Sequence, residues 1–587
     1  MTFLDWAIIA LYFMFAAGIG VAMSRRAGSS ITEFFIGGRS LPWWLAGTSM
    51  VATTFAVDTP LAVTELVAKY GVAGNWLWWN MVMSGMLTVF FYARLWRRAG
   101  VITDAEFSEL RYGGRPAAIL RGFRAAYLAL PINLIIMGWV NLAMMEIVSV
   151  ALDIPDVAAL ALCFVLATAY STLAGLWGVV ITDFFQFGLA LGGAVILAVF
   201  AVEAVGGIVG MQNSLGDIYG STDAALAMLP SESTAWMPAI TMAVYLGVNW
   251  WASWYPGAEP GGGGYVAQRI FAARSERDGV LATLWFNIAH YAVRPWPWIL
   301  VALASTILYP NLEDPKEGYV LAVMDLLPSG LTGLVLAGFV AAYMSTISTQ
   351  LNWGASYLVN DLYGRFIRPD LGERELVKAA RISTVGLMVA SLVVTYFLTS
   401  IEGTWRFLLA IGAGTGLVLI LRWYWWRINA WSEISAMIAS LVVSVVLWFG
   451  VGLDPDDPMQ WAWIMLATVG TSTVVWLVVT FLTRPEDDEV LRAFYLRVRP
   501  GGRGWRPIAE TVGLGGEPVD GGPLNWTNWV AGVISVYSTL FGVGQLIFGA
   551  TGRGVLLLFV AVVCFWWIGR NLRPSRAAMD QVLGVAS

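Results

Sequence analysis

Apolar runs of about twenty residues recur along almost the whole chain, each long enough to cross a hydrocarbon layer roughly 30 Å thick as a helix. About fifteen such stretches can be drawn, near 5–23, 42–68, 75–98, 117–151, 155–175, 177–203, 234–258, 281–308, 326–362, 377–401, 403–427, 429–452, 458–482, 525–549 and 553–573. Only 12% of the 587 residues are charged, too few to cover the surfaces of a soluble protein of this length. A transmembrane β-barrel would show short alternating segments instead. The expected class is an all-α polytopic membrane protein embedded in a lipid bilayer.

The basic residues divide the connections into two sets. Taking the N-terminus as outside, alternate connections carry Arg25, Arg26 and Arg39, then Arg94 to Arg124, then Arg269 to Arg277. The same set continues with Arg365 to Arg381, Arg422 and Arg427, Arg484 to Arg506 and Arg570 to Arg576. The other set holds Lys69, Lys316, Arg406 and Arg553. Positive charge collects on the cytoplasmic side of membrane proteins, so this alternation predicts a cytoplasmic C-terminus and an integral protein of the cell (inner) membrane. Ser24-Arg25-Arg26 follows the first apolar run where a cleaved leader would have small residues, so no removable signal is expected.

Composition also narrows the chemistry. A net charge of −5 argues against nucleic acid as a partner. Two cysteines, both in apolar runs, imply no disulfide framework, and one histidine, His290, excludes a histidine-based metal centre. No clustered nucleophile and base indicates an enzyme, and no cofactor is called for. The acidic and Gly-rich stretch 483–524 is too short for a catalytic domain and reads as a flexible loop or a docking site.

Two apolar runs are interrupted. Residues 52–60 place Thr53, Thr54, Asp58 and Thr59 before Pro60, which removes a backbone donor and disfavours helix at Thr59. Residues 249–264 contain Pro256, Pro260 and four consecutive glycines, which cannot continue a helix. Interrupted helices at the bilayer midplane commonly hold ions and solutes; a packed kink and a simple helix end are the plainer alternatives. In the 326–362 run, Ser345, Ser348, Thr349 and Asn352 share one helical face with Thr346 beside it, a set of hard oxygen ligands suited to a small hard cation. Asp183, early in an apolar run, is the candidate carboxylate partner. The bland reading is that these hydroxyls bond back to their own helix. Arg294 lies within an apolar run, where a charge marks either a ligand site or an internal ion pair with Asp58, Glu65 or Glu259. His290 reads as a packed, hydrogen-bonded residue.

Several motifs in order resemble the sodium:solute symporter family. These are Phe34-Phe35-Ile36-Gly37-Gly38-Arg39 with Leu41-Pro42-Trp43-Trp44, the stretch Tyr170 to Asp183, Gln268-Arg269, and Ser345 to Asn352 followed by Asp361-Leu362-Tyr363. The resemblance spans about 5–430 and implies a LeuT-type core of two inverted five-helix repeats, about 42–203 and 234–427. One helix and its following loop (1–41) precede the core; about four further helices, with the loop 483–524, occupy 428–587.

By the same resemblance, the main sodium site takes the carbonyls of Ala52, Phe55 and Ala342 and the hydroxyls of Ser345 and Thr346. A second sodium site takes Asp183, Ser345, Ser348 and Thr349. The solute pocket maps to Asp58, Thr59, Asn80, Ser84, Asn249 and Asn287, to which Arg294 is added for a carboxylate or phosphate. The aromatic of the inner gate falls near Ala252, so Trp250, Trp251 or Trp254 is expected to substitute. The implied partners are Na+ and a small polar solute (a sugar, amino acid or carboxylate); nothing fixes an oligomeric state. A proton-coupled carrier using Asp183 or His290, or a transport-like sensor, is the competing reading.

Overall fold

The structure, a computed structural model, describes residues 1–152, 154–230, 234–253, 261, 263–398, 401–515 and 522–572. Among them every regular element is helical, apart from one isolated parallel bridge between Leu41 and Ala273. Ten helices are long and apolar enough to cross a bilayer, and the bent pair Trp43–Thr54 and Asp58–Tyr70 makes an eleventh. The remaining expected spans are helical too, but divided into shorter pieces, such as Trp76–Trp79, Val82–Leu87 and Ala93–Ala99. The runs 155–175 and 177–203 form one helical stretch, Asp156–Ala204, broken at Gly175, whose positive φ of 55° suits glycine.

The helix Leu331–Ile367 runs through the centre, with 89% of its most apolar window buried. This explains its composition: a helix without a lipid face can carry hydroxyls around its whole girth. The second half of the Asp156–Ala204 stretch packs along it on one side and the broken pair on another. Gly47 brings Trp43–Thr54 close to Glu276–Ile288; a Cβ there would stand 2.5 Å from the Ala282 carbonyl. Likewise a Cβ on Gly416 would lie 2.0 Å from the Trp251 carbonyl, so the Gly416–Tyr424 helix depends on glycine to seat against the Trp250–Ala252 turn.

The arginine-rich ends of the helices are tied by buried ion pairs. Glu433 accepts from Tyr112 Oη at 2.6 Å and faces Arg422 and Arg124 at 3.3 and 3.4 Å. Asp361 accepts from Arg121 at 2.7 Å and from Thr103 at 2.6 Å. Partial burial opposes the charge on Glu109, but its bonds to Arg365 and Arg121 outweigh this and hold its carboxyl below the ordinary range.

The described part of 483–524, residues 483–515 and 522–524, is not the flexible loop expected. Asp488–Val498 and Arg506–Thr511 are helices folded against the bundle. Trp505, 1% exposed, donates to the Trp423 carbonyl at 2.7 Å, stacks on Phe494 and lies under the Arg111 guanidinium. The hydrophobic face of Asp488–Val498 (Leu491, Phe494, Tyr495, Val498) explains the docking; the charges bracketing it obscure that face in a composition count.

Candidate functional site

The first broken helix ends at Thr54, and the next begins at Asp58 after a bend of 56°. Pro60 sits in the first turn of the second half, where its missing N–H costs nothing. The break lies upstream of it, at Phe55–Val57, releasing carbonyls that an unbroken helix would pair. Thr346 Oγ1 donates to the Thr53 carbonyl at 2.9 Å and to the Ala342 carbonyl at 3.1 Å, bridging the break to the central helix. Among the described residues no hydrogen bond reaches the carbonyls of Ala52 or Phe55. Ala52, Phe55, Ala342, Ser345 and Thr346 are all buried.

Ser345 Oγ donates to Asp183 Oδ1 at 2.6 Å, and Ser49 Oγ to Asp183 Oδ2 at 2.5 Å. Thr349 meets Thr53 across the break at 3.1 Å. Ser348 bonds back to the Ser345 carbonyl at 3.2 Å, as the bland reading expects. The residue that sequence reasoning missed here is Arg269. Its fully buried guanidinium donates to Thr349 at 2.7 Å, Ser49 at 3.2 Å and Gln268 at 2.7 Å, and stands 3.9 Å from Asp183. Gln268 in turn donates to Asn352 and the Phe35 carbonyl, both at 2.9 Å. The sequence places Arg269 in a basic connection between two spans and Gln268-Arg269 among the family motifs; the pair lies on a buried helix, Gly264–Ala272.

Beside this cluster lies a cavity of about 90 Å³. Asp58, Thr59 and Arg294 line it, as do Thr53 beside the break and Thr346 of the central helix. Arg294 is 1% exposed; it donates through Nε to the His290 carbonyl at 3.2 Å and packs over Trp298 and Phe55. His290 Nε2 faces Arg294 Nη2 at 3.4 Å and Nδ1 faces Thr54 Oγ1 at 3.1 Å. A guanidinium has no acceptor, so this pairing assigns the proton to Nδ1. Trp78, Trp139, Tyr265, Tyr291 and Trp405 complete an aromatic wall absent from the expected set, together with Gln350.

Four expected solute residues stand elsewhere. Asn80 accepts from Asn249 at 3.0 Å, and Asn249 also accepts from Ser253. Asn287 donates to the Thr283 carbonyl and fills the space over Gly85. Ser84 is buried on the same Val82–Leu87 segment. None of the four lines the cavity; the Asn249–Asn80 bond joins two helical segments, while Asn287 bonds back to its own helix Glu276–Ile288. Trp250 and Trp251 are not at the cavity either. Both indoles turn outward, donating to the Leu246 and Gly247 carbonyls, and Trp250 stacks on Trp529 at 5.6 Å. The short turn Trp250–Ala252 after a wide helical turn at Tyr245–Asn249 gives them this direction. Trp254 and Glu259 lie outside the described residues.

The sodium:solute symporter family model matches residues 34–442. A sodium/glucose cotransporter of Vibrio parahaemolyticus is 25% identical over 475 residues, covering 76% of this chain and 86% of the relative. A sodium/mannose cotransporter of Bos taurus is 24% identical over 508 residues, covering 78% and 81%. A solved Na+-coupled sialic acid symporter superposes with a TM-score of 0.67 at 18% identity, covering 83% of this chain and 99% of that one, which shows a shared fold. The family match covers most of the chain, and its relatives are cotransporters rather than enzymes. The chain therefore belongs to the sodium:solute symporter family.

Proposed function

We propose that this protein carries a small hydroxylated carboxylate into the cell together with sodium, by alternating access across the cell membrane, with its N-terminus outside and its C-terminus in the cytoplasm. The observation that carries the reading is that Arg294 and Asp58 line one cavity with Thr346, which bridges the broken helix. A planar guanidinium recognises a carboxylate bidentately, Asp58 accepts from hydroxyls, and Trp78, Trp139 and Trp405 offer faces to C–H surfaces. The relatives named for glucose, mannose and sialic acid are consistent with a hydroxylated solute.

The main sodium site is formed by the carbonyls of Ala52, Phe55 and Ala342 with Ser345 and Thr346. It shares Thr346 with the cavity wall, which couples ion and solute. The second site is Asp183 with Ser345, Ser348 and Thr349, and Arg269 must release Thr349 for the ion to enter. The two inverted repeats, about 42–203 and 234–427, carry these sites between them.

The test is a thermal-shift screen of the purified protein against neutral sugars, amino acids and sugar acids, with and without sodium. A hydroxylated carboxylate should raise Tm only when sodium is present. That shift should vanish in Arg294→Gln and in the double variant Ser345→Ala, Thr346→Ala. Stabilisation by neutral sugars alone, with the acids inert, would overturn the solute assignment.

A further inference from the structure

A second cavity, about 750 Å³, lies away from the solute site, between the membrane core and the docked residues 495–515. Apolar side chains line it, namely Phe91, Trp251, Leu417, Ile420 and Leu421, with Trp526 from the start of Gly522–Ile547. Arg94, Arg98, Arg499, Arg503 and Arg506 line it as well. No Asp or Glu lines it among the described residues. Arg98 and Arg506 each also meet a carboxylate, Glu276 and Glu510, outside the wall.

This arrangement has a direction. Trp526 begins Gly522–Ile547, which is long and apolar enough to cross a bilayer, and Phe91 and Leu417 to Leu421 stand on the short helices Thr88–Tyr92 and Gly416–Tyr424. Arg94 and Arg98 stand on Ala93–Ala99, and the other three arginines stand on the docked segment. Five guanidiniums around an apolar chamber exclude a neutral apolar ligand, which would gain nothing from them, and a free inorganic anion, which would leave the chamber unfilled. The matching chemistry is an acyl chain joined to an anionic phosphate. A membrane leaflet supplies it at high local concentration.

We infer that this cavity is a site for an anionic phospholipid of the cytoplasmic leaflet, its phosphate between Arg94 and Arg503 and its acyl chain against Phe91, Trp251 and Leu417. The leaflet rests on the orientation proposed above; the site itself does not.

Native mass spectrometry of the full chain, released from micelles holding equal amounts of dioleoyl phosphatidylglycerol and phosphatidylcholine, reads the site whichever way the chain faces. The wild type should retain phosphatidylglycerol preferentially. Arg94→Gln with Arg503→Gln should lower that retention by about 25-fold, roughly fivefold for each arginine removed. Lysine at both positions should restore most of it, and Arg277→Gln, on another basic connection, should leave it unchanged. Equal retention of both lipids, undiminished retention in the double glutamine variant, or displacement by excess inorganic phosphate would overturn the site. Unfolding of the glutamine variant is separated from lipid loss by its melting temperature and by the lysine pair.

Discussion

Asp183 and Arg269 are both fully buried, and neither is tolerable alone in an apolar core. The 3.9 Å gap between them is spanned by Ser49, which donates to Asp183 and accepts from Arg269. Arginine suits this place because one planar fork reaches Ser49, Gln268 and Thr349 at once; a lysine ammonium has no such spread. Removing one member of a buried pair costs about 3–5 kcal/mol because the other charge is stranded. Asp183→Asn and Arg269→Gln should therefore each lower the melting temperature by several degrees, while the double variant should lie above the sum of the two losses. Strict additivity in that cycle, measured in detergent, would show that the two charges do not act as a pair. Asp183 was legible in the sequence because a lone carboxylate in an apolar run has few structural uses. Arg269 was not, since an arginine near a Gly run looks like an ordinary loop charge until the Gly264–Ala272 helix is seen to be buried.

The breaks and faces of the helices were more legible than their contents. Pro60 marked the first interruption to within a few residues, because a missing N–H must fall in a first turn or a kink. The hydroxyl face of the central helix was readable from spacing, and the structure joins Ser345 to Asp183 and Thr349 to Thr53. The solute wall was less so. Asn80, Asn249 and Asn287 have the polarity of ligand residues, but a buried amide serves equally to join two segments, as Asn249 does to Asn80, or to bond back to its own helix, as Asn287 does, and only tertiary geometry separates these uses. The same holds for 483–524, whose acidic and Gly-rich ends concealed an amphipathic helix. Trp505 is the anchor of that segment. Truncating a buried tryptophan costs about 3–5 kcal/mol, which raises the fraction of time that the segment spends undocked. In Trp505→Ala, limited proteolysis should cut within 483–524 at least tenfold faster than in the wild type, while the transmembrane bundle stays intact. Unchanged cleavage would mean the segment is held by other contacts.

At the scale of the whole molecule, the count of buried charges decides how the membrane potential acts. Asp58 with Arg294 and Asp183 with Arg269 sum to zero when the sites are empty. A solute carboxylate adds one negative charge, one sodium cancels it, and a second sodium leaves one positive charge to cross with each solute. Each unit charge moved through 100 mV is worth about 2.3 kcal/mol, or roughly 50-fold in accumulation. With both proposed sodium sites filled, clamping proteoliposomes at 100 mV inside-negative should raise accumulation of the carboxylate by about that factor over zero potential, at a fixed sodium gradient. Asp183→Asn, with the second site disabled, should accumulate to the same level at both potentials, because one sodium and one carboxylate carry no net charge. Accumulation by the wild type that ignores the potential would reduce the coupling to one sodium per carboxylate. A response near the square of 50-fold would instead mean that the solute is neutral and Arg294 has another task. The measurement therefore reads ion count and solute charge together, from the one quantity that a nearly uncharged interior makes visible.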